Sequence, residues 1–345
     1  MNKLLSIVIP TYNMEAYLNR CLDSLLVSED TLSLLEVLII NDGSKDKSSE
    51  IAHEYETKYP NTFRIIDKEN GNYGSCINRG LKYATGKYIK VLDADDWFDT
   101  KELEKYLLSL SSAEADLVLT DFNIVHADNL QSELAFHPNL QAKQVYSFKD
   151  CSITEVGIYT MHAVTYRTEF LRSINYVQTT GISYTDSEWV HKPLYAINTM
   201  VYLNYNVYQY LIGREGQTMD SKIMLKTIKH HEIVACSLVE NEKLHPSFGF
   251  ASILMQKQLL YLVSKIYRTL LVLQDSSLFK NDELRVFDLY IKKQLPMIYR
   301  RMNRLVLKKT LPIPYVLFWR MFNHRFPVDS IRQFYRRIKY GKERS

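Results

Sequence analysis

The sequence predicts an α/β fold in which a Rossmann-like, mostly parallel sheet carries helices on both of its faces. Over the first hundred residues, short apolar runs rich in β-branched residues alternate with segments whose apolar residues recur at helical spacing. The runs, which we expect to be strands, cover residues 5–10, 35–40, 63–67 and 88–92. Apolar strands joined by helices are typical of parallel sheets that are buried on both faces.

Each helix predicted between these strands carries an apolar stripe. Residues three and four apart lie on the same side of a helix, so such a stripe can pack against the sheet. The stripes comprise Leu18, Cys21, Leu22, Leu25 and Leu26 in the first helix, Ile51, Ala52, Tyr55 and Tyr59 in the second, and Tyr73, Ile77, Leu81 and Ala84 in the third. Two more strand-like runs follow at 117–120 and 201–210, and a helical pattern then continues from Lys222 to Lys309.

The length and the composition agree with a globular chain that has more than one structural region. The 345 residues exceed the ~100–200 of an average domain, and 46% hydrophobic and 24% charged residues are globular values. We predict an α/β region over residues 1–218, with halves 1–100 and 101–218, and a helical region over 219–345. No run approaches the ~20 apolar residues of a membrane span, and the first residues resemble a strand more than a signal peptide.

Polar residues follow three of the predicted strands at the point where each strand ends. Because the carboxyl ends of parallel strands meet at one edge of a sheet, where ligands bind, we expect these residues to converge. The three clusters are Thr11-Tyr12-Asn13, Asn41-Asp42-Gly43 and Asp93-Ala94-Asp95. This convergence is the main indication of a functional site.

The acidic residues in these clusters have two interpretations each. Asp93 and Asp95 could share a divalent cation, because carboxylate oxygens are the ligands that Mg²⁺ and Mn²⁺ prefer, or they could form a solvated acidic turn. Asp42 could accept an N–H from a nucleobase, or it could be a turn residue. The presence of all three clusters favours the functional interpretation.

The charge distribution is uneven along the chain. Net charge is +4, but from Arg300 to Ser345 thirteen Lys and Arg face two acids, so the remainder is net acidic. Basic residues interleaved with aromatic and aliphatic ones indicate the surface of an anionic membrane. A solvated helical face is the alternative, and nucleic acid would attract the same charge. The four cysteines are far apart, which excludes a disulfide framework or zinc knuckle.

Four motifs in a fixed order resemble glycosyltransferase family 2. They are Ser6-Ile-Val-Ile-Pro-Thr-Tyr-Asn13, Ile40-Asn-Asp-Gly-Ser44, Gly74 with Asn78 and Gly80, and Val91-Leu-Asp-Ala-Asp-Asp-Trp97. The resemblance is close over the first hundred residues and looser to about Met219. It implies an A-type nucleotide-sugar fold, an inverting mechanism and a nucleoside-diphosphate sugar donor, most often UDP-linked.

The resemblance also implies roles for individual residues. Asp42 would read the base, Asp93 would contact the ribose and the metal, and Asp95 would bind the metal directly. The other donor-site residues would be Pro10, Thr11 and Asn13 beside the base and ribose, and Gly74 and Asn78 at the loop on the diphosphate side.

The family often places its catalytic base in a Glu-Asp pair well after the Asp-x-Asp motif. Here Thr185 replaces the glutamate, and Asp186 stands in the base position with Glu188 as the second choice. Asp186 could instead be a helix N-cap. Arg214 resembles an arginine in a loop that closes over the diphosphate, although an ordinary surface loop is the alternative. We expect His162 to be structural or to hydrogen-bond the acceptor.

The resemblance therefore implies an inverting, metal-dependent, non-processive glycosyltransferase. Its donor would be UDP-hexose or UDP-N-acetylhexosamine, its cofactor Mn²⁺ or Mg²⁺, and its acceptor a saccharide or a polyprenyl-linked sugar of surface polysaccharide or cell-wall glycan synthesis. We expect a cytoplasmic protein, peripheral on the inner face of the plasma membrane through its basic tail, without a nucleic-acid partner. Homodimerisation is open. The alternatives are a sugar nucleotidyltransferase and a non-catalytic membrane-docking module with the same fold.

Overall fold

The computed structural model describes residues 3–214, 227–273, 281–308 and 311–324. Its contacts divide the chain into two compact units. Unit 1 comprises Met1–Gln217 and Asn241–Met255, and unit 2 comprises Thr218–Glu240 and Gln256–Ser345. The first boundary lies next to residue 218, where we expect the α/β region to end. The functions assigned to the two predicted regions stay predictions.

Unit 1 is built on a ten-stranded sheet. Its strands are β1 Leu5–Thr11, β2 Leu35–Asn41, β3 Phe63–Asp67, β4 Tyr88–Val91, β5 Trp97–Phe98, β6 Leu117–His126, β7 Ser132–Phe136, β8 Val145–Ser147, β9 Val164–Arg167 and β10 Thr199–Ile212. The order is β3-β2-β1-β4-β9-β6-β10-β5, with β7 on β6 and β8 on β10. The β3-β2-β1-β4 part is parallel, and β9 runs antiparallel to both of its neighbours.

Helices cover this sheet and position its strand ends. Those wholly in unit 1 are α1 Leu18–Asp23, α2 Glu29–Leu32, α3 Ser48–Lys58, α4 Asn72–Tyr83, α5 Thr100–Leu110, α6 Ile153–Val156, α7 Thr168–Ser173 and α8 Asp186–His191. Close packing of α4 on β1 requires Gly80, because a Cβ there would lie 2.4 Å from Val8 Cγ1. At α5, the Asp99 side chain accepts from the Glu102 N–H at 3.0 Å and so caps the helix.

The strand register places the three polar clusters at one edge of the sheet. Pro10 pairs with Ile40, and Thr11 pairs with Asn41. Asn41 pairs in turn with Asp67, so β1, β2 and β3 end level with one another. In β4 the last residue pairs with Val8, and the acidic cluster therefore follows close to the same edge.

Unit 2 is mainly helical. Two helices, α9 Ile228–Leu244 and α10 Gly249–Arg268, each contribute residues to both units. The elements wholly in unit 2 are the helices α11 Asn281–Gln294, α12 Pro296–Met302 and α13 Tyr315–Met321 and the short strands β11 Val306–Lys308 and β12 Leu311–Pro314. The helical pattern that we expect up to Lys309 thus ends earlier, at Met302, and β11 follows. No helix within the described ranges has both the length and the apolarity to cross a membrane.

An ion pair lies inside unit 2. The side chains of Asp288 and Arg320 are 1% and 8% exposed, and Arg320 Nε donates to Asp288 Oδ1 at 3.0 Å. Tyr267 also donates to this carboxylate. Arg320 belongs to the basic segment predicted to meet a membrane, and that expectation is wrong for this residue, since its charge is used internally. The basic residues Arg332, Arg336, Arg337 and Lys339 lie outside the described residues.

Removal of this carboxylate is expected to destabilise the protein. Asp288→Ala should lower the free energy of unfolding by about 3–5 kcal/mol, because the charge of Arg320 would stay buried without its partner. Asp282→Ala is the matched control, since it removes an exposed acid from the first turn of the same helix and should cost less than about 1 kcal/mol. Urea unfolding of the full chain measures both, and equal losses would contradict the assignment.

Candidate active site

The loops that follow β1 and β2 are joined by hydrogen bonds. The Asn13 N–H donates to Ser44 Oγ at 3.1 Å, and Asn13 Oδ1 accepts from the Lys45 N–H at 2.8 Å. Asn13 has a φ of 53°, a left-handed conformation that asparagine tolerates better than most residues. Thr11 is buried, and its carbonyl oxygen accepts from the Asp42 N–H at 2.8 Å. Thr11, Asn13 and Asp42 are therefore neighbours, as the strand pattern predicts.

Asp42 is held in place by a buried ion pair. Asp42 is 3% exposed, and its carboxylate contacts the ammonium group of Lys68. Asp42 Oδ1 also accepts from the Gly71 N–H at 2.9 Å, at the N-cap of α4. Lys68 Nζ in turn donates to Ser75 Oγ at 2.9 Å. Because each charge has a partner, this corner of the site is ordered before any ligand binds.

A cleft of about 520 Å³ lies beside this pair, at the ends of β2 and β3. It is lined by Tyr12, Asn41, Gly43, Lys45, Asp67, Lys68, Glu69 and Asn70. Asn41 Nδ2 donates to Asp67 Oδ1 at 2.6 Å. Partial burial alone would raise the pKa of Asp67, but hydrogen bonds from Asn41, Ser49 and His53 lower it, so the carboxylate is ionised at neutral pH. The size and polar lining suit a small polar ligand.

Three carboxylates crowd together after β4. Asp93 Oδ1 accepts from the Tyr73 hydroxyl at 2.8 Å. Burial and the charge of Asp95 raise the pKa of Asp93 to about 7. Asp96 is 1% exposed and accepts a hydrogen bond from the Tyr208 hydroxyl at 2.7 Å. Burial and the charges of Asp95 and Asp93 raise the pKa of Asp96 well above its usual value. Burial and mutual repulsion thus disfavour the charged forms of Asp93 and Asp96.

Arg214 partly neutralises this cluster. Its Nε lies 2.5 Å from Asp95 Oδ2, and its guanidinium lies 5.1 Å from the centre of the Tyr17 ring. A second guanidinium, that of Arg20, donates to the Asp95 carbonyl oxygen at 2.8 Å. The Arg214–Asp95 pair joins residues 119 positions apart and holds the end of β10 beside the acidic loop.

The donor atoms here fit a hard divalent cation. One carboxylate oxygen of Asp93, one of Asp96 and a ring nitrogen of His162 lie within 4.8 Å of one another. Burial, with the charge of Lys90, lowers the pKa of His162 to about 3, so its ring stays neutral and keeps a lone pair for a ligand role. Of the predicted pair Asp93 and Asp95, the first belongs to this group, whereas the second is engaged by Arg214. Oxygen donors with one imidazole suit Mn²⁺ or Mg²⁺.

Lys90 positions His162 by a hydrogen bond to its backbone carbonyl oxygen. The lysine lies in β4 and is fully buried, and its Nζ donates to the carbonyl oxygens of His162 and Val164 at 2.8 and 3.2 Å. Burial lowers the pKa of Lys90 to about 7. The His162 ring stacks on Tyr210 with centroids 4.1 Å apart, and its Nδ1 lies 2.7 Å from Thr160 Oγ1. The imidazole is therefore held on several sides.

The two candidates for the catalytic base have different surroundings. Asp186 is the first residue of α8 and is exposed, and its charge contributes to the raised pKa values of Asp93 and Tyr73. Thr185 occupies the N-cap position, so Asp186 is not the N-cap. Glu188 is fully buried and accepts from the N–H and Oγ1 of Thr179, both at 2.7 Å. Glu188 therefore has a structural role, and Asp186 is the candidate that a substrate can reach.

Residues 6–174 match the model described as Glycosyl transferase family 2. This segment belongs to glycosyltransferase family 2. The chain is 35% identical over 144 residues to glycosyltransferase EpsH of Bacillus subtilis, and these residues cover 41% of this chain and 41% of EpsH.

Further similarities concern cell-wall synthesis and the fold. The minor teichoic acid biosynthesis protein GgaB of B. subtilis is 34% identical over 128 residues, which cover 37% of this chain and 14% of GgaB. The chain thus spans less than half of EpsH or GgaB. The crystal structure of S. aureus TarS 1-349 in complex with UDP-GlcNAc matches with a TM-score of 0.63 and 19% identity, over 98% of this chain and 92% of that one. The predicted fold class is confirmed.

One glycine and one asparagine of the family 2 motifs, Gly74 and Asn78, pack against the segment before Asp186. A Cβ on Gly74 would lie 2.0 Å from the Thr179 carbonyl oxygen. The Asn78 side chain exchanges two hydrogen bonds with the Gln178 backbone, each of 2.8 Å. Gly74 and Asn78 thus support the loop that leads to the candidate base. Their predicted role at the diphosphate stays a prediction.

Several residues of the candidate site are not found by sequence reasoning. The sequence motifs assign no role in the site to Tyr73, Lys90 or Asp96. They also do not predict that His162 faces a metal site. For Lys90 a signal existed, since a lysine inside an apolar strand needs partners. The partners of His162 come from β4 and β10, which are distant in sequence, and no local pattern reports them.

Proposed function

We propose that this chain is an inverting, metal-dependent glycosyltransferase that moves one sugar from a UDP-linked donor to a saccharide or lipid-linked acceptor. The observation that carries this proposal is the carboxylate cluster after β4, in which one oxygen each of Asp93 and Asp96 and a ring nitrogen of His162 lie within 4.8 Å of one another. Exposed Asp186 lies near enough to raise the pKa of Asp93. Such a cluster suits a diphosphate donor with its cation, and a separate carboxylate suits a base. Membership of the 6–174 segment in glycosyltransferase family 2 supports the same reaction.

The donor is proposed to lie along the carboxyl ends of the strands. Its base and ribose would occupy the cleft beside Pro10, Thr11 and Asn13, where Asp42 is held by Lys68. The UDP-GlcNAc bound to TarS, whose fold this chain shares, supports a UDP-linked hexose or N-acetylhexosamine. The diphosphate would then reach the acidic cluster, where Asp93, Asp96 and His162 would hold Mn²⁺ or Mg²⁺. Asp95 would join these ligands when Arg214 leaves its carboxylate.

In the proposed mechanism Asp186 accepts the proton of the acceptor hydroxyl. The hydroxyl oxygen forms a bond to the anomeric carbon while the bond from that carbon to the diphosphate oxygen breaks on the opposite face, so configuration is inverted. A bound cation would neutralise the charge that develops on the diphosphate. Arg214, which is paired with Asp95 here, would add a second positive charge to the leaving group if it moves from the carboxylate to the phosphate.

The acceptor is proposed to belong to cell-wall or surface-polysaccharide synthesis. The similarity to GgaB, a minor teichoic acid biosynthesis protein, supports this setting. The reaction would take place at the inner face of the plasma membrane, where lipid-linked sugars are assembled, and would add a single sugar. The helical region would carry the protein to that surface.

A binding screen with the full chain tests this function. Isothermal titration would measure UDP, GDP and dTDP sugars with and without Mn²⁺. We expect UDP sugars to bind at least ~10-fold more tightly with Mn²⁺ than without it, because the cation screens the three carboxylates from the diphosphate. Slow hydrolysis of the same donor would establish the transferase chemistry. If no nucleotide sugar binds either with or without Mn²⁺, the proposed function is wrong.

A further inference from the structure

A basic and apolar surface lies on the outer side of α11 and α12 in unit 2. We call it the α11–α12 basic face. Val286, Leu289 and Met297 supply its apolar part and are 69%, 51% and 65% exposed. Its basic part consists of Arg285, Lys292, Lys293, Arg300, Arg301 and Arg304, all of them exposed.

The helical geometry places these residues on one side. In α11, residues 285, 289 and 292 follow one another at spacings of four and three, and in α12 Met297 and Arg300 are three residues apart, with Arg304 in the turn just after the helix. The opposite side of the two helices is buried. It consists of Leu284, Phe287, Asp288, Ile291, Ile298 and Met302. The buried side fixes the orientation, so the basic and apolar side chains face outward together.

Among the described residues, no carboxylate forms an ion pair with the basic side chains of this face. From Leu289 to Arg304 the sequence has no Asp or Glu. The exposed acidic residues of α11, Asp282 and Glu283, lie in the first turn of that helix. The exposed charge of this surface therefore suits a partner of opposite charge.

We propose that the α11–α12 basic face binds the surface of an anionic lipid bilayer. Lysine and arginine side chains meet the headgroups, and Val286, Leu289 and Met297 enter the boundary between headgroups and acyl chains. Exposed aliphatic side chains among the charges favour a bilayer over a nucleic acid, whose backbone offers no apolar layer. The surface differs from the predicted basic tail, because it begins at Arg285 and excludes Arg320. This proposal rests on the proposed function only where it places the enzyme beside a lipid-linked acceptor.

Vesicle sedimentation with the full chain tests this surface. The vesicles contain phosphatidylglycerol and phosphatidylcholine in equal parts, with pure phosphatidylcholine as the comparison. We expect binding to the anionic vesicles alone, weakening as salt is added. The triple variant Arg300→Glu, Arg301→Glu and Arg304→Glu should bind at least ~100-fold more weakly, since each basic residue near such a surface contributes about fivefold. The variant Leu289→Ser with Met297→Ser should bind more weakly but keep its salt dependence.

A matched control carries the same charge change elsewhere. Lys58→Glu, Lys82→Glu and Lys101→Glu replace three exposed lysines of unit 1 and should leave vesicle binding within about threefold of the parent. Circular dichroism and donor titration show whether each variant is folded. An equal loss in the control, unchanged binding in the Arg300 series, or equally tight binding of single-stranded RNA would each overturn the proposal. Vesicle binding without donor binding would refute the proposed function and leave this surface standing.

Discussion

Asp186→Asn should lower kcat by about 10²–10⁴-fold while donor binding changes little. A positioned general base contributes an effect of this size, and an amide cannot accept the hydroxyl proton. The substitution should be tolerated structurally, because Asp186 is exposed and Thr185 holds the N-cap position of α8. Hydrolysis of the donor identified by titration provides the rate, and the same titration provides the affinity.

The control for this variant makes the same chemical change at another exposed acid. Asp128→Asn should keep both kcat and donor affinity, since Asp128 is exposed in the turn after β6. If Asp186→Asn retains kcat within about threefold of the parent, Asp186 is not the base. Glu188 would not replace it, because its buried carboxylate already accepts two hydrogen bonds from Thr179 and pairs with Lys192 at 3.1 Å.

Asp95→Asn should weaken Mn²⁺-dependent donor binding by at least ~100-fold. Removing a residue that only supports a metal ligand already costs about 10–100-fold, and Asp95 is proposed to bind the cation directly. The variant also removes the carboxylate partner of Arg214, so donor binding without a cation should not fall in parallel. Titration of Mn²⁺ by its electron paramagnetic resonance signal, with and without donor, measures the cation separately from activity.

Asp99→Asn is the matched control for Asp95→Asn. It lies four residues further on and caps α5, a role in which asparagine is as effective as aspartate. We expect unchanged cation binding, donor binding and stability. Equal Mn²⁺ affinity for Asp95→Asn and the parent would instead assign the cation to Asp93, Asp96 and His162 alone, the group whose donor atoms lie within 4.8 Å.

The first half of the sheet could be predicted because its signals are local. Apolar runs define β1 to β4, and stripes at helical spacing define the helices between them, so the parallel order follows from neighbouring elements. The same locality predicts that Thr11, Asp42 and Asp93 follow strand ends. The antiparallel insertion of β9 between β4 and β6 could not be predicted in this way, since it depends on a long-range path.

The sequence by itself determined the fold class, the edge of the sheet that carries the site and the family motifs. Tertiary structure alone decided which charges meet: Lys90 with the carbonyl of His162 across 72 positions, Arg214 with Asp95 across 119, and Arg320 with Asp288 across 32. It also assigned Glu188 to the interior and Asp186 to the surface. The physical reason is that side-chain periodicity reports which face of an element is buried, whereas charge pairing depends on distance in space.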